Sequence, residues 1–206
     1  MNVSKNAFAC GLMLLSGACL ASADGDASAP WASVYLGAFN GNRNPQLSGQ
    51  DGGRATALAM NQPVGQHLAW GIDFATCTQQ YDSGLQDGFF VDVGNSMDVE
   101  TWSLSGQLLY VATTPKAAFY AGGGTGFYRT TLSVDVIFFG IPGTSEESDS
   151  SFGAHVLAGV SLALKDEYWL ELQYRRSFAE SDFGESYGRI DVGGSFVLAG
   201  LQMRFR

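Results

Sequence analysis

The chain has 206 residues, of which 46% are hydrophobic and only 15% are charged, and its formal net charge is −9. This composition excludes an intrinsically disordered protein, which needs low hydrophobicity and high net charge. With 20 acidic and 11 basic residues, the chain lacks the positively charged surface that binds nucleic acid, so no nucleic-acid partner is expected.

The chain begins with the pattern of a secretory signal peptide. Lys5 supplies the positive start, an apolar stretch runs roughly over 7–20, and residues 21–23 read Ala-Ser-Ala, a small-residue cleavage site. We therefore expect residues 1–23 to be removed and residues 24–206 to form one domain.

Two of the three cysteines, Cys10 and Cys19, would leave with the signal. Cys77 would then remain alone, without a partner for an intramolecular disulfide and without companions for a cysteine metal cluster. A lipoprotein anchored through Cys19 is an alternative, although Ser16 stands where a lipobox normally has Leu.

The rest of the chain alternates between apolar and polar residues with period 2, and the runs are separated by Gly, Asn, Asp, Ser and Pro. In the clearest run, 151–164, seven apolar residues fall on one face. The phase of the alternation switches at Gly193-Gly194, which predicts a bulge. Counting the runs predicts eight strands, at 31–40, 54–62, 67–81, 98–113, 117–134, 151–164, 168–178 and 189–206.

The predicted connections are alternately short and long. The short turns are 63–66, 114–116 and 165–167, and the long polar loops are 41–53, 82–97, 135–150 and 179–188. An even strand number with this asymmetry is typical of outer-membrane β-barrels, whose short turns face the periplasm. Closure removes every sheet edge, which hydrocarbon requires. The asymmetry places Ser145 and Ser181 at the cell surface, open to impermeant reagents, and Lys165 in the periplasm.

Aromatic residues are predicted to form two girdles at the membrane interfaces. The periplasmic girdle would contain Trp31, Trp70, Phe119, Trp169 and Phe205, and the outer one Phe39, Tyr81, Trp102, Tyr128 and Phe178. A soluble, lipocalin-like barrel is the alternative, but its solvated exterior would carry more Lys and Glu than these strands do.

With these residues the chain resembles the eight-stranded outer-membrane β-barrels of the OmpA/OmpX type. The resemblance rests on residues 119–128, on 152–164 leading into 169–175, and on the terminal 201–206. The barrel-assembly signal of that class most often ends on its aromatic residue, whereas Phe205 is penultimate here. The resemblance implies an all-β, eight-stranded antiparallel transmembrane barrel in the bacterial outer membrane, surrounded by membrane lipid and lipopolysaccharide.

Several polar residues are predicted to face the interior of the barrel. We interpret them as a lumen network that fills the barrel, with Glu171 close to Arg204 on the neighbouring strand; the alternative is a gate in a narrow polar pore. The predicted lumen network consists of Asp73, His155, Glu171, Gln173, Arg175 and Arg204.

His155 is the residue that we considered as a catalytic base. Outer-membrane lipid A deacylases look like His-x-Ser on a strand, but the residue two after His155 is Leu157, and the alternation turns His155 inward. We therefore expect a hydrogen-bonded lumen residue, no enzymatic site, no cofactor and no metal. The glycine run 122–126 is expected to pack closely around bulky neighbours such as Tyr120.

Most of the acidic residues outside the predicted wall lie in the long loops. They are Asp51, Asp82, Asp87, Asp92, Asp135, Glu146, Glu147, Asp149, Glu180, Asp182 and Glu185. Simple solvation explains them, and divalent-cation bridging to lipopolysaccharide or adhesion to a basic partner are the functional alternatives. The sequence thus favours a monomeric barrel with a structural or surface-interaction role, ahead of a narrow channel and a lipid-modifying enzyme.

Overall fold

A computed structural model describes residues 29–41, 48–50, 52–82, 91–138, 141–184 and 188–205. The predicted signal peptide, 1–23, lies outside this part of the chain. Within the described residues, no helix has the length and apolar character needed to cross a membrane.

The described residues form eleven strands. They are β1 (Trp31–Gly41), β2 (Ser48–Gln50), β3 (Gly53–Pro63), β4 (Leu68–Asp82), β5 (Val91–Thr113), β6 (Ala117–Phe138), β7 (Ile141–Ala163), β8 (Tyr168–Phe178), β9 (Glu180–Asp182), β10 (Arg189–Asp191) and β11 (Gly194–Arg204). Eight of them close an antiparallel barrel in the order β1-β3-β4-β5-β6-β7-β8-β11, and β11 pairs back with β1.

The predicted eight-stranded barrel is therefore confirmed, including the run 54–62, which has little contrast between its two faces. The three short turns also lie where they are predicted, between β3 and β4, β5 and β6, and β7 and β8. Side chains alternate between the lumen and the outer surface along every wall strand, as the burial pattern of β8 shows.

Two of the predicted long loops are strands where the structure describes them. Of 82–97, Asp82 belongs to β4 and 91–97 to β5, whereas 83–90 lie outside the described residues. Of 135–150, residues 135–138 belong to β6 and 141–150 to β7, and the ladder between the two strands continues to the pair Phe138 and Ile141. The closed wall ends below these segments, because β8 pairs with β7 only as far as Ala154, opposite Phe178. These polar segments are strands because they pair with one another outside the membrane.

The last predicted strand, 189–206, is divided into β10 and β11. The phase switch at Gly193-Gly194 is a break between two strands and not a bulge within one. Gly193 lies against the Ser177 carbonyl, where a Cβ would overlap the backbone. The chain can therefore leave the small sheet of β9 and β10 and enter the barrel wall directly.

Candidate functional site

An ion pair crosses the barrel lumen. The two carboxylate oxygens of Asp73 on β4 each accept a hydrogen bond from the Arg175 guanidinium on β8, at 2.6 Å. The side chains are 0% and 3% exposed. The two strands stand on opposite walls, four places apart in the ring of eight. This bidentate pair neutralises both buried charges and braces the barrel across its diameter.

Glu171 lies in a separate polar pocket. The hydroxyls of Ser33, Tyr35, Tyr120 and Ser161 lie near its carboxylate, and Ser161 is its cross-strand partner on β7. Within the described residues, Glu171 Oε2 and Ser33 Oγ form no hydrogen bond. Nearby, the Tyr120 hydroxyl donates to Gln173 Oε1 at 3.4 Å. The alternation in the sequence predicts that Glu171 and Gln173 face the lumen. It does not predict the neighbouring hydroxyls, because nothing in the sequence indicates which Ser and Tyr residues of other strands lie close to Glu171.

The predicted partnership of Glu171 with Arg204 is wrong. Among the described residues the structure records no ion pair between them within 4.0 Å. The Arg204 guanidinium instead lies over the Trp169 ring, 3.8 Å from its centroid. Trp169 is the cross-strand neighbour of Gln202, and Gln202 lies on the same face of β11 as Arg204, two residues away. The Trp169 ring is therefore close enough to bind the Arg204 guanidinium near the periplasmic end of the barrel.

His155 faces the lumen, as the alternation predicts, and is 2% exposed. The predicted hydrogen bond is not found: neither ring nitrogen has a partner within the described part of the chain. The ring lies over Gly124, where an added Cβ would contact Cε1. The His155 ring thus fits in the lumen because Gly124 has no side chain there, and the ring is turned away from the lipid.

The lumen is filled with side chains. Large aromatic and aliphatic groups on β1 and β11 pack at one wall, among them Phe39 and Phe196, whose ring centroids are 4.6 Å apart. Gly159 leaves room for the Tyr120 ring, which a Cβ would overlap. Between Glu171, Gln173 and their neighbours there remains a cavity of about 10 Å³, roughly the room for one water molecule. This packing is expected for a barrel of eight strands.

The outer surface of the barrel carries a row of aromatic rings that faces the lipid. Phe74, Trp102, Phe127 and Phe152 follow one another across β4, β5, β6 and β7, with centroid separations of 6.4, 5.9 and 6.0 Å. Phe152 is 84% exposed. Rings at this level match the interfacial girdle of outer-membrane barrels.

The predicted girdles are correct only in part. Trp70, Phe119 and Phe178 point outward. Four other members are buried inside the barrel, where they fill the lumen; they are Trp31, Phe39, Tyr128 and Trp169. An aromatic residue at a strand end can face either the lipid or the lumen. Its place in the alternation of the strand decides which of the two it faces. The side chain of Tyr81 lies outside the described part.

Above the aromatic row, β5, β6 and β7 continue as a sheet, which we call the protruding sheet, and β4 lies beside β5 as far as the pair Asp82 and Ser96. Residues 179–192, described except for 185–187, fold against its inner face and form the cap. The two share a buried apolar core made of Met97, Val99, Tyr128, Leu132, Val134, Ala179, Phe183, Ile190 and Val192. The Asp149 carboxylate on β7 accepts a hydrogen bond from the backbone N–H of Asp182 in the cap, at 2.7 Å.

The cap corrects one prediction about the surface. Ser145 on β7 is exposed, as predicted, but Ser181, which belongs to the cap, is 0% exposed. The sequence analysis does not predict the cap or its core. The available signal was the apolar set Met97, Val99, Leu132 and Val134, whose strand parity is opposite to that of the lipid-facing residues below them.

Acidic side chains dominate the protruding sheet and the cap where the structure describes them. Asp98, Glu100, Asp135 and Glu146 point to the outer face of the sheet, and Glu180 and Asp182 are exposed on the cap. The Asp135 carboxylate accepts the Thr144 hydroxyl at 3.1 Å. No described group of three or more His, Cys, Asp or Glu residues is arranged to hold a metal ion.

No protein-family model matches the chain, and no curated protein sequence matches it. Solved structures do match its fold. Neisserial surface protein A superposes with a TM-score of 0.54 and 19% identity, covering 85% of this chain and 96% of that one. OprG from Pseudomonas aeruginosa gives a TM-score of 0.52 and 14% identity, covering 87% and 97% of the two chains.

A third match is Ail, the attachment invasion locus protein of Yersinia pestis, solved in complex with the heparin analogue sucrose octasulfate. Its TM-score is 0.52 at 13% identity, over 86% of this chain and 99% of that one. All three matches show the same barrel fold. Together with the closed eight-stranded sheet and the apolar outer surface, they establish that the chain is an integral membrane β-barrel with the eight-stranded fold of these outer-membrane proteins.

Proposed function

We propose that the protein is a surface-interaction protein, in which the barrel is the anchor and the protruding sheet with its cap is the binding part. The observation that carries this is the folded structure outside the membrane. A connection between two antiparallel strands needs only two to five residues. Here β6 and β7 instead continue about 30 Å beyond Ser150 and acquire a hydrophobic core of their own.

The charge of the binding part indicates the chemistry of its partner. Glu146, Glu147 and Asp149 lie close together on β7, and no Lys or Arg stands between Ile141 and Ser150. The partner that such a surface attracts is basic. In the Ail structure the bound molecule is a sulfated sugar, an anion. For this chain the sign is reversed, so we infer a basic protein segment or polycation.

The packed lumen argues against the channel alternative. The Asp73–Arg175 pair spans the interior, and the cap core covers the outer mouth. We expect no stepwise conductance when the protein is reconstituted in planar bilayers. The inward position of His155, with Leu157 in place of a serine, gives no support to a lipid-modifying enzyme. The acidic residues could also bridge lipopolysaccharide through divalent cations, but no described group of them is arranged to hold one.

The membrane-facing surface fits a monomer, because the barrel pairs all its own wall strands and leaves only lipid contacts around it. Membrane lipid and lipopolysaccharide of the outer leaflet are then the surroundings of the aromatic row. Above this row Arg129 points outward on β6, at the level of headgroup phosphates.

Binding of fluorescent poly-lysine to the protein in lipid vesicles tests the proposal. Neutralising Glu146 and Glu147 together (Glu146→Gln, Glu147→Gln) should weaken binding several-fold at low salt. The matched control neutralises two acids in a periplasmic turn, Asp166→Asn and Glu167→Gln, and should change binding on the outer side little. Equal effects of the two pairs, or no effect of either, would contradict a binding part on the protruding sheet.

A further inference from the structure

We propose that the free edge of β7 is the docking site for an extended basic segment, which adds to the protruding sheet as a further strand. This inference rests on the proposed function and names how the partner binds. Unpaired N–H and C=O groups along an exposed strand are a template for such an addition.

The hydrogen-bonding direction along β7 follows from two bonds at its periplasmic end. Ala163 N–H donates to Lys116 on the β6 side, at 3.0 Å, and Leu164 N–H donates to Tyr168 on the β8 side, at 2.9 Å. The register between β6 and β7 has no shift over its whole length. Odd-numbered residues therefore bond to β6, and even-numbered residues direct their N–H and C=O groups to the other side.

Among the described residues, no strand pairs with that other side above the wall. β8 pairs with β7 only as far as Ala154, so the even-numbered Thr144, Glu146 and Ser148 direct their backbone groups away from the sheet. Pro142 fits this assignment, because it has no N–H to give and is tolerated where the N–H side is free. The cap approaches β7 lower down, at Asp149.

The opposite edge of the protruding sheet is less suited to pairing. There β4 lies beside β5 as far as the pair Asp82 and Ser96, and β2 pairs with the end of β4. Beyond that pair, the register of β5 with β6 shifts between Val93 and Met97. Such irregularities interrupt a regular row of donors and acceptors. The edge of β7, in contrast, stays in unbroken register as far as Ile141.

Charge identifies the occupant. A second copy of this chain, pairing β7 with β7, would bring Glu146, Glu147 and Asp149 against their own equivalents, and like charges on facing strands destabilise a sheet. An extended segment with Lys or Arg at alternate positions would instead place cations beside Glu147 and Asp149 on the inner face of the sheet, or beside Glu146 on its outer face. The chemistry of the edge thus favours a basic peptide strand over self-association.

A peptide of alternating Lys and Thr tests this, measured by fluorescence anisotropy with the full protein in lipid nanodiscs. The companion probe has the same charge but carries an N-methyl group on every amide, so that neither edge of the peptide can donate hydrogen bonds to β7. We expect at least tenfold weaker binding of the methylated peptide.

On the protein, Thr144→Pro with Ser148→Pro removes two edge donors while leaving the ladder to β6 intact, and should also weaken binding of the unmodified peptide at least tenfold. Thr144→Ala with Ser148→Ala is the matched control and should bind normally. Circular dichroism and the heat-dependent gel shift verify that each variant is folded.

The outcomes separate the two proposals. If the methylated and unmodified peptides bind equally, and only Glu146→Gln with Glu147→Gln weakens them, the edge is not the site and a basic partner is held by charge alone. If neither peptide binds at low salt, the inference and the proposed function both fail. Dimerisation through β7 would overturn the choice of occupant.

Discussion

The same three strands run through two environments, the barrel wall and the protruding sheet. In the wall, β6 directs apolar residues such as Phe119 and Phe127 outward to the lipid, and glycines inward. Above the aromatic row the same strand directs Thr131 and Ser133 outward, and Leu132 and Val134 inward to the cap. The alternation reverses between Phe127 and Thr131, where neither ladder of β6 shifts its register.

The reversal shows that the solvent, and not the strand, sets which face is apolar. In the bilayer the surroundings are hydrocarbon and the outside is apolar. In water the ordinary rule returns, and apolar side chains turn toward a core. The aromatic row at Trp102 and Phe127 marks the level of the change, and this comparison can be tested at several points along the strands.

The largest expected effect concerns access to the outer segments. A cysteine at Ser145 should react with a membrane-impermeant maleimide on intact cells, whereas one at Lys165, in a periplasmic turn, should not. A cysteine at Ser181 should react much more slowly than one at Ser145, because the side chain at 181 is buried within the cap. Gel-shift labelling over time measures all three rates.

The native Cys77 is buried in the lumen, and the wild-type chain serves as the background control. Rapid labelling at Ser181 would show that the cap does not cover the barrel mouth. Labelling at Lys165 on intact cells would reverse the orientation of the whole barrel.

The sequence could predict the wall because lipid imposes a period-2 apolar pattern that few other structures produce. It could also assign lumen residues such as Asp73 and Arg175 to one interior, although not to one pair, since their contact depends on strands facing each other across the ring. The protruding sheet was missed because a reversed alternation resembles the end of a strand. The Ser, Asp and Gly residues of 143–150 have low β-propensity, so they appear as a loop.

A second test compares the two ion pairs of the described structure, one in each region. Asp73→Asn leaves Arg175 without its buried counter-charge and should lower the free energy of unfolding by about 3–5 kcal/mol. Arg189→Gln removes the pair with Asp182 at 3.5 Å on the cap, where the two side chains are 76% and 58% exposed. It should cost under about 1 kcal/mol. Urea unfolding in lipid vesicles, followed by tryptophan fluorescence, measures both.

The contrast can be checked with a third variant. Asp73→Leu with Arg175→Met removes both lumen charges and should be less harmful than Asp73→Asn alone, because no unpaired charge remains. Equal losses for Asp73→Asn and Arg189→Gln would mean that the lumen is as solvated as the cap.

The third test moves one cation along a single face of β7. Val156→Arg lies on the lipid side of the wall and should cost about 2–4 kcal/mol if it is near the bilayer midplane, as should Leu170→Arg on β8. Ser148→Arg lies on the same face of β7 but above the aromatic row, and should change stability by no more than about 0.5 kcal/mol. Refolding yield into vesicles gives the ranking, and similar losses at Val156 and Ser148 would place Ser148 in the membrane.

The smallest expected effect lies at the periplasmic end of the lumen, where Arg204 stacks on Trp169. A cation over an indole ring contributes about 0.5–2 kcal/mol, depending on how far it is desolvated. A double-mutant cycle with Arg204→Ala and Trp169→Leu should therefore show a coupling energy of that size. The parallel cycle with Arg204→Ala and Glu171→Gln should be nearer to additive, because the hydroxyls of Tyr35 and Tyr120 lie near the Glu171 carboxylate and no ion pair joins it to Arg204. A larger coupling to Glu171 than to Trp169 would restore the ion pair that the sequence alone suggests, and would mean that the guanidinium leaves the ring to reach into the lumen.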